Sequence, residues 1–178
     1  MNLILRMIRV LAAALLGRRR DLMDPSVLAF RVWPNDLDVN LHMNNGRYLT
    51  IMDLGRTDLI VRAGFLRAML RERWMPVLGG ATVRFRRPLA PFQRYVLRTR
   101  ILCWDDKWVY MEQRFETRGG QLACHAIVKG LFLAGRASVP PAEVLRLLGR
   151  AVASPAMPPA VAAWAESERD LRDHSQAA

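Results

Sequence analysis

The sequence predicts an α+β domain in which one long helix is wrapped by a single antiparallel sheet. Three observations predict it. From Arg47 the apolar period is helical, with Tyr48, Ile51, Met52, Gly55 and Leu59 at spacings of three and four. The helical run is followed by strand-like runs joined by short turns. The helix is also weakly amphipathic, so it must bury most of its circumference, and a curled sheet can supply that cover.

The elements follow in order. Residues 2–17 read as a helix, apolar over most of its circumference, with Arg18-Arg19-Arg20 after it. The run is shorter than the roughly 20 apolar residues a spanning helix needs. Its charges also stand on the wrong side for a secretory signal. This helix either packs on the domain or lies in a membrane interface with its arginines at lipid phosphates. Val27 to Trp33 reads as a strand, ended by Pro34-Asn35. Asp36 to Asn45 reads as a structured polar loop. The long helix then runs for about 16 residues, roughly 24 Å, with Gly64 as its stop. Gly46 and Gly55 would let it approach the sheet closely.

Phe65 to Trp74 looks like a second, shorter helix. Strands are expected over Val77 to Leu89, Tyr95 to Trp104, Lys107 to Thr117 and Leu122 to Leu133. Asp105-Asp106 and Gly119-Gly120 mark hairpin turns between them. Pro140-Pro141 opens a short helix, Ala142 to Leu148. Three regions result: an apolar and basic helix over 1–24, one domain over 25–150, and a loosely attached tail over 151–178. The tail carries a helical piece near Ala160 to Leu171.

The 178 residues, 52% of them hydrophobic, suffice for one sizeable core. A formal net charge of +11 favours anionic partners: an acidic membrane, an acidic carrier protein, a phosphate-rich cofactor or nucleic acid. The arginines are scattered over many elements rather than set in one stripe, which argues against nucleic acid. Cys103 and Cys124 lack metal-ligand spacing and sit in apolar runs. They read as buried free thiols, not nucleophiles.

The densest cluster of chemically capable residues is Asp36 to Asn45. Free N–H groups at the first turn of the following helix carry partial positive charge and can stabilise an oxyanion. Asp38 could serve as general base or nucleophile beside them. Asn40 and His42 follow at two-residue steps, which in extended backbone place side chains on one side. The plainer reading of such Asx residues is turn and cap formation. Asp53 and Arg56 read as an ion pair on the helix. Arg84-Phe85-Arg86-Arg87 reads as a solvated face or a phosphate contact. His125 reads as a core residue, and Trp33, Trp74, Trp104 and Trp108 as core or tunnel walls. His174 has no evident role.

The string Asp36-Leu37-Asp38-Val39-Asn40-Leu41-His42-Met43-Asn44-Asn45, with Tyr48 beyond it, resembles the signature of hotdog thioesterases. Its D-x-N-x-H portion is similar to plant acyl-carrier-protein thioesterases. The overall pattern is similar to the group of thioesterase superfamily member six, within the broader 4-hydroxybenzoyl-CoA thioesterase group. Val83 to Leu89 and Lys107 to Tyr110 look like further strands of that family, and the resemblance covers about residues 27–148.

It implies a hotdog fold, a homodimer or homotetramer with its site between subunits, and hydrolysis of an acyl-CoA or acyl-carrier-protein thioester without metal or other cofactor. It implies catalytic roles for Asp38, Asn40, His42 and the Asn45 N–H, with Asn44, Tyr48, Arg84 and Arg86 toward the substrate. A counterpart of the further acid or thiol of some plant enzymes is not found. Enoyl-thioester hydration and a non-catalytic, membrane-associated binding role are the alternatives. The expected location is cytoplasmic, with residues 2–20 as a peripheral contact at the inner membrane surface.

Overall fold

The computed structural model describes residues 3–150 and 152–176. Chain order is α1 (Leu3–Leu16), β1 (Ser26–Arg31), α2 (Asn45–Arg62), α3 (Phe65–Glu72), β2 (Trp74–Phe85), β3 (Arg94–Trp104), β4 (Val109–Thr117), β5 (Leu122–Ala134), β6 (Ala137–Val139), α4 (Pro141–Leu147) and α5 (Pro159–Gln176). One antiparallel sheet runs β1-β3-β4-β5-β2, with β6 on the far end of β5. Short connections order β3, β4 and β5 as a meander, as the turn residues predict. The connection from β1 through α2 carries the long helix across one face. His174 and the end of the tail helix lie where only the backbone is described.

The helix is buried because its sequence leaves it no wet side. Ile51, Met52 and Leu54 of α2 are fully enclosed with Leu97 and Phe115 of the sheet. Each such side chain contributes about 1.5–3 kcal/mol of apolar burial. Gly55 makes the close approach. A Cβ there would lie 2.2 Å from Thr99 Oγ1 and 2.9 Å from Leu97 Cδ2. Gly46 does not share this role; a Cβ on it would meet only the Asn44 side chain, at 3.2 Å. Gly55→Ala is therefore expected to cost about 1–3 kcal/mol by overpacking, read as a lower urea midpoint.

Under Gly55 the sheet recognises the helix backbone. The buried Gln113 donates through Nε2 to Met52 O at 2.9 Å and to Thr99 Oγ1 at 2.9 Å. Arg56 donates to Gln113 Oε1 at 2.7 Å and pairs with Asp53, as its spacing predicts.

Two expectations change at the outer face of the sheet. The tail is not loosely attached: Val161 is fully buried with Cys103, Tyr110 and Ile127, and Lys129 pairs with Glu168. The ring of Trp164 packs edge-on against Tyr110, 6.3 Å between centroids. Composition hid this, because the few anchoring side chains stand among alanines and charges. His125 is not a core residue either; its Nε2 lies 2.8 Å from Glu112 Oε1 on a half-exposed surface. A strand in a one-sided sheet alternates faces, so a polar residue in an apolar run can still point outward.

Arg100 Nε donates to the other oxygen, Glu112 Oε2, at 2.7 Å. Burial raises the Glu112 carboxyl, but the hydrogen bonds from His125 and Arg100 and their charge outweigh it and hold it below the usual carboxylate range. The sign follows. A depressed folded pKa gives stability that is complete above the unfolded value, about 4.3, and is lost as pH falls through the folded one. Glu112→Gln is expected to flatten the acid limb of stability, seen as a smaller drop in urea midpoint between neutral pH and about pH 3.

Candidate active site

The loop before α2 is built around two aspartates with different tasks. A 3-10 turn, Pro34–Asp36, buries the Asp36 carboxylate at 1% exposure. Its Oδ2 accepts from Arg6 Nη2 of α1 and, at 2.9 Å, from the Trp33 N–H. Its Oδ1 faces Arg47 Nε of α2 at 3.3 Å. Asn44 N–H donates to Asp36 O at 2.8 Å. One side chain thus pins α1, the loop and the start of α2 together. The buried Arg6 also leaves Nε and Nη1 without a protein partner among the described residues.

Between these pins the chain makes a tight hairpin closed by a Leu37–Met43 bridge. Asp38 N–H donates to His42 O at 2.9 Å, and Leu41 turns the corner at φ 59°. Asp38 Oδ1 accepts the N–H groups of Asn40, at 2.9 Å, and His42, at 3.3 Å. Among the described residues no donor occupies Oδ2. Asp38 is therefore half-buried and fixed by one oxygen, with the other available.

The other expected site residues separate into groups. Asn40 and His42 are exposed on the same hairpin, and what ties them to the Asp38 carboxylate is their backbone N–H, not their side chains. Asn44 is the N-cap of α2, its Oδ1 accepting from Gly46 N–H at 2.8 Å. The cap occupies Oδ1, and Asn44 itself is exposed beside the hairpin. Asn45 opens the helix, and among the described residues no acceptor is recorded for its N–H.

Tyr48, expected toward the substrate, is 2% exposed and packed edge-on against Phe85 and Phe115. Burial pushes its hydroxyl up to about 12. Arg84 and Arg86 are exposed at the Phe85 end of β2, the end that packs on Tyr48 and so on the first turns of α2. Cys103 and Cys124 are buried and unpaired as expected, and burial drives the Cys124 thiol up to about 12. A neutral thiol there is no nucleophile.

Of the tryptophans read as core or tunnel walls, Trp104 lines a cavity whose other walls carry no local signal in the sequence. About 340 Å³ of mostly apolar space lies between the second half of α2 and the sheet, walled by Ile60, Phe65, Ile101, Trp104, Met111 and Leu131. Asp53, Arg56 and Thr57 supply its polar lining. It does not touch residues 38–45. Along α2, Asp53 lies about 12 Å of helix rise from Asn45. Among the described residues no cluster of His, Cys, Asp and Glu could hold a metal ion.

This arrangement of helix, sheet and loop can be set beside known proteins. The family model of the thioesterase-like superfamily matches residues 32–165. The chain belongs to that superfamily. Within it, protein THEM6 of Xenopus laevis is 34% identical over 160 residues, covering 88% of this chain and 76% of its own. A probable thioesterase of Saccharomyces cerevisiae is 31% identical over 119 residues, covering 65% of this chain and 51% of its own. The chain thus spans only about half the length of the yeast relative.

Among solved structures, the probable thioesterase YbaW of Escherichia coli superposes with a TM-score of 0.64 at 19% identity, over 69% of this chain and 96% of that one. A gentisyl-coenzyme A thioesterase gives 0.61 at 23%, over 67% and 98%. The fold is the hotdog fold that the loop signature implies.

Proposed function

We propose that this superfamily member hydrolyses acyl thioesters of CoA or of an acyl carrier protein. The observation that carries the reading is the pinned loop itself. It presents a carboxylate oxygen, Asp38 Oδ2, and an N–H at the start of α2, neither of which has a partner among the described residues. The thioester carbonyl would accept from the Asn45 N–H, where the helix dipole favours the developing oxyanion. Asp38 would take a proton from water as it attacks the carbonyl carbon, or attack the carbon itself. In the first route collapse of the tetrahedral adduct expels the thiolate, which takes up the proton held by Asp38. In the second the thiolate leaves an acyl–Asp38 anhydride, and water then cleaves it to the free acid, restoring the carboxylate and supplying the proton of the thiol. Asn40 and His42 on the same hairpin would orient water or the thiol. Arg84, Arg86 and the overall positive charge suit a pyrophosphate or an acidic carrier surface.

The apolar cavity suits a fatty or aryl chain. A second copy of the chain would complete the site. Among the described residues no strand pairs with the outer edge of β2, and Met75, Val77, Leu78 and Phe85 are exposed along it. A long apolar edge of this kind calls for a partner. Antiparallel pairing of two such edges about a two-fold axis would set the Phe85 end of one copy, with its loop, beside the cavity end of the other.

Enoyl hydration would want a His–carboxylate pair at the carbonyl. The His–Glu pair of this protein lies on the outer face, away from α2. The test is thiol release from short, long and aromatic acyl-CoAs and from acyl carrier proteins. Turnover that favours apolar acyl groups over acetyl supports the proposal; silence across both carriers sinks it.

A further inference from the structure

We propose that α1 docks this protein on an anionic lipid bilayer, lying in the interface plane rather than crossing it. The helix is turned with its charge inward. Arg6, Val10 and Ala14 are its buried residues, and Arg6 is held by Asp36. The opposite arc carries Ile4, Leu5, Ile8, Leu15 and Leu16, all exposed, the last at 90%. At 100° per residue these five fall within about 120° of the circumference. A helix that merely covers a core shows the reverse pattern. The ion pair fixes this rotation. Turning the leucines inward would draw Arg6 away and leave Asp36 buried with Arg47 alone.

The chemistry around the stripe selects the occupant. Arg9 flanks it, and Arg18 and Arg19 follow its end, exposed. An apolar stripe bordered by arginines matches a bilayer interface, with acyl chains beneath and phosphates beside. A second copy seated on the stripe fits less well, because it would set the exposed Arg18 and Arg19 of one chain against those of the other. With 14 residues, α1 is about 21 Å long, and no helix among the described residues is long and apolar enough to cross a membrane. Asp36 stands just before the hairpin of Asp38. Docking would therefore bring the loop close to the lipid surface whatever the loop does. The inference does not depend on hydrolase activity.

The experiment is sedimentation of the full chain with phosphatidylcholine vesicles, with and without phosphatidylserine. Wild type is expected to bind the phosphatidylserine vesicles and to release as salt rises. Combined Leu5→Gln, Ile8→Gln and Leu15→Gln should weaken binding at least about tenfold, as should Arg18→Gln with Arg19→Gln. Thermal unfolding and the mass by light scattering should be unchanged in both variants. Wild type that stays in the supernatant overturns the proposal. So does binding that survives the leucine substitutions, or a drop in mass showing that a second copy covers the stripe.

Discussion

Asp38→Asn is expected to fold as the wild type does and to lose about 10²–10⁴-fold in kcat, with KM little changed. The choice of asparagine matters. Asp38 Oδ1 accepts the Asn40 and His42 N–H groups, and an amide oxygen can still do so. The hairpin should therefore persist while the basic and nucleophilic oxygen is lost. Asp38→Ala would remove both functions and could not separate them. Steady-state kinetics on the best acyl-CoA, with near-identical melting curves, checks the prediction. A variant that keeps its rate would remove Asp38 from the chemistry.

Asp36→Ala is expected to be the most damaging change to stability, about 3–5 kcal/mol, because it leaves the Arg6 guanidinium buried without its counter-charge. Arg6→Leu should cost less. It removes a buried charge in favour of apolar volume, and Asp36 keeps Arg47. The double variant should be less unstable than the two single losses added together, since one contact is removed in both. Urea unfolding of the four proteins gives the coupling. Additive losses would show that Arg6 and Asp36 do not depend on each other. Because Asp36 also holds the Asn44 N–H through its carbonyl, loosened packing there should lower activity as well.

The fold was legible because local signals agreed. The period of three and four from Arg47, the Gly119-Gly120 turn and the Asp105-Asp106 turn each pointed to one element. Boundaries moved by a few residues: α2 begins at Asn45 rather than Arg47, and Trp74 opens β2 rather than closing α3. β6 was not foreseen, since three residues carry too little pattern. In the loop, the hairpin of Asp38 and the cap at Asn44 follow from Asx chemistry close in sequence. The Arg6–Asp36 pair does not, because nothing local marks two charges 30 positions apart as partners. The packing of Tyr48 was hidden for a related reason. A family signature shows that a tyrosine belongs there, not that Phe85 and Phe115 close over it. The cavity was hidden because its walls come from many elements, each contributing only one or a few side chains.

The most direct test of the hydrolase reading is thiol release from a long-chain acyl-CoA by purified wild type and Asp38→Asn in parallel. Wild type is expected to show saturable turnover, at least about a hundredfold faster than the variant. Release at equal rates by both proteins would overturn the hydrolase reading, as would silence of both on the acyl-CoA and on the matching acyl carrier protein.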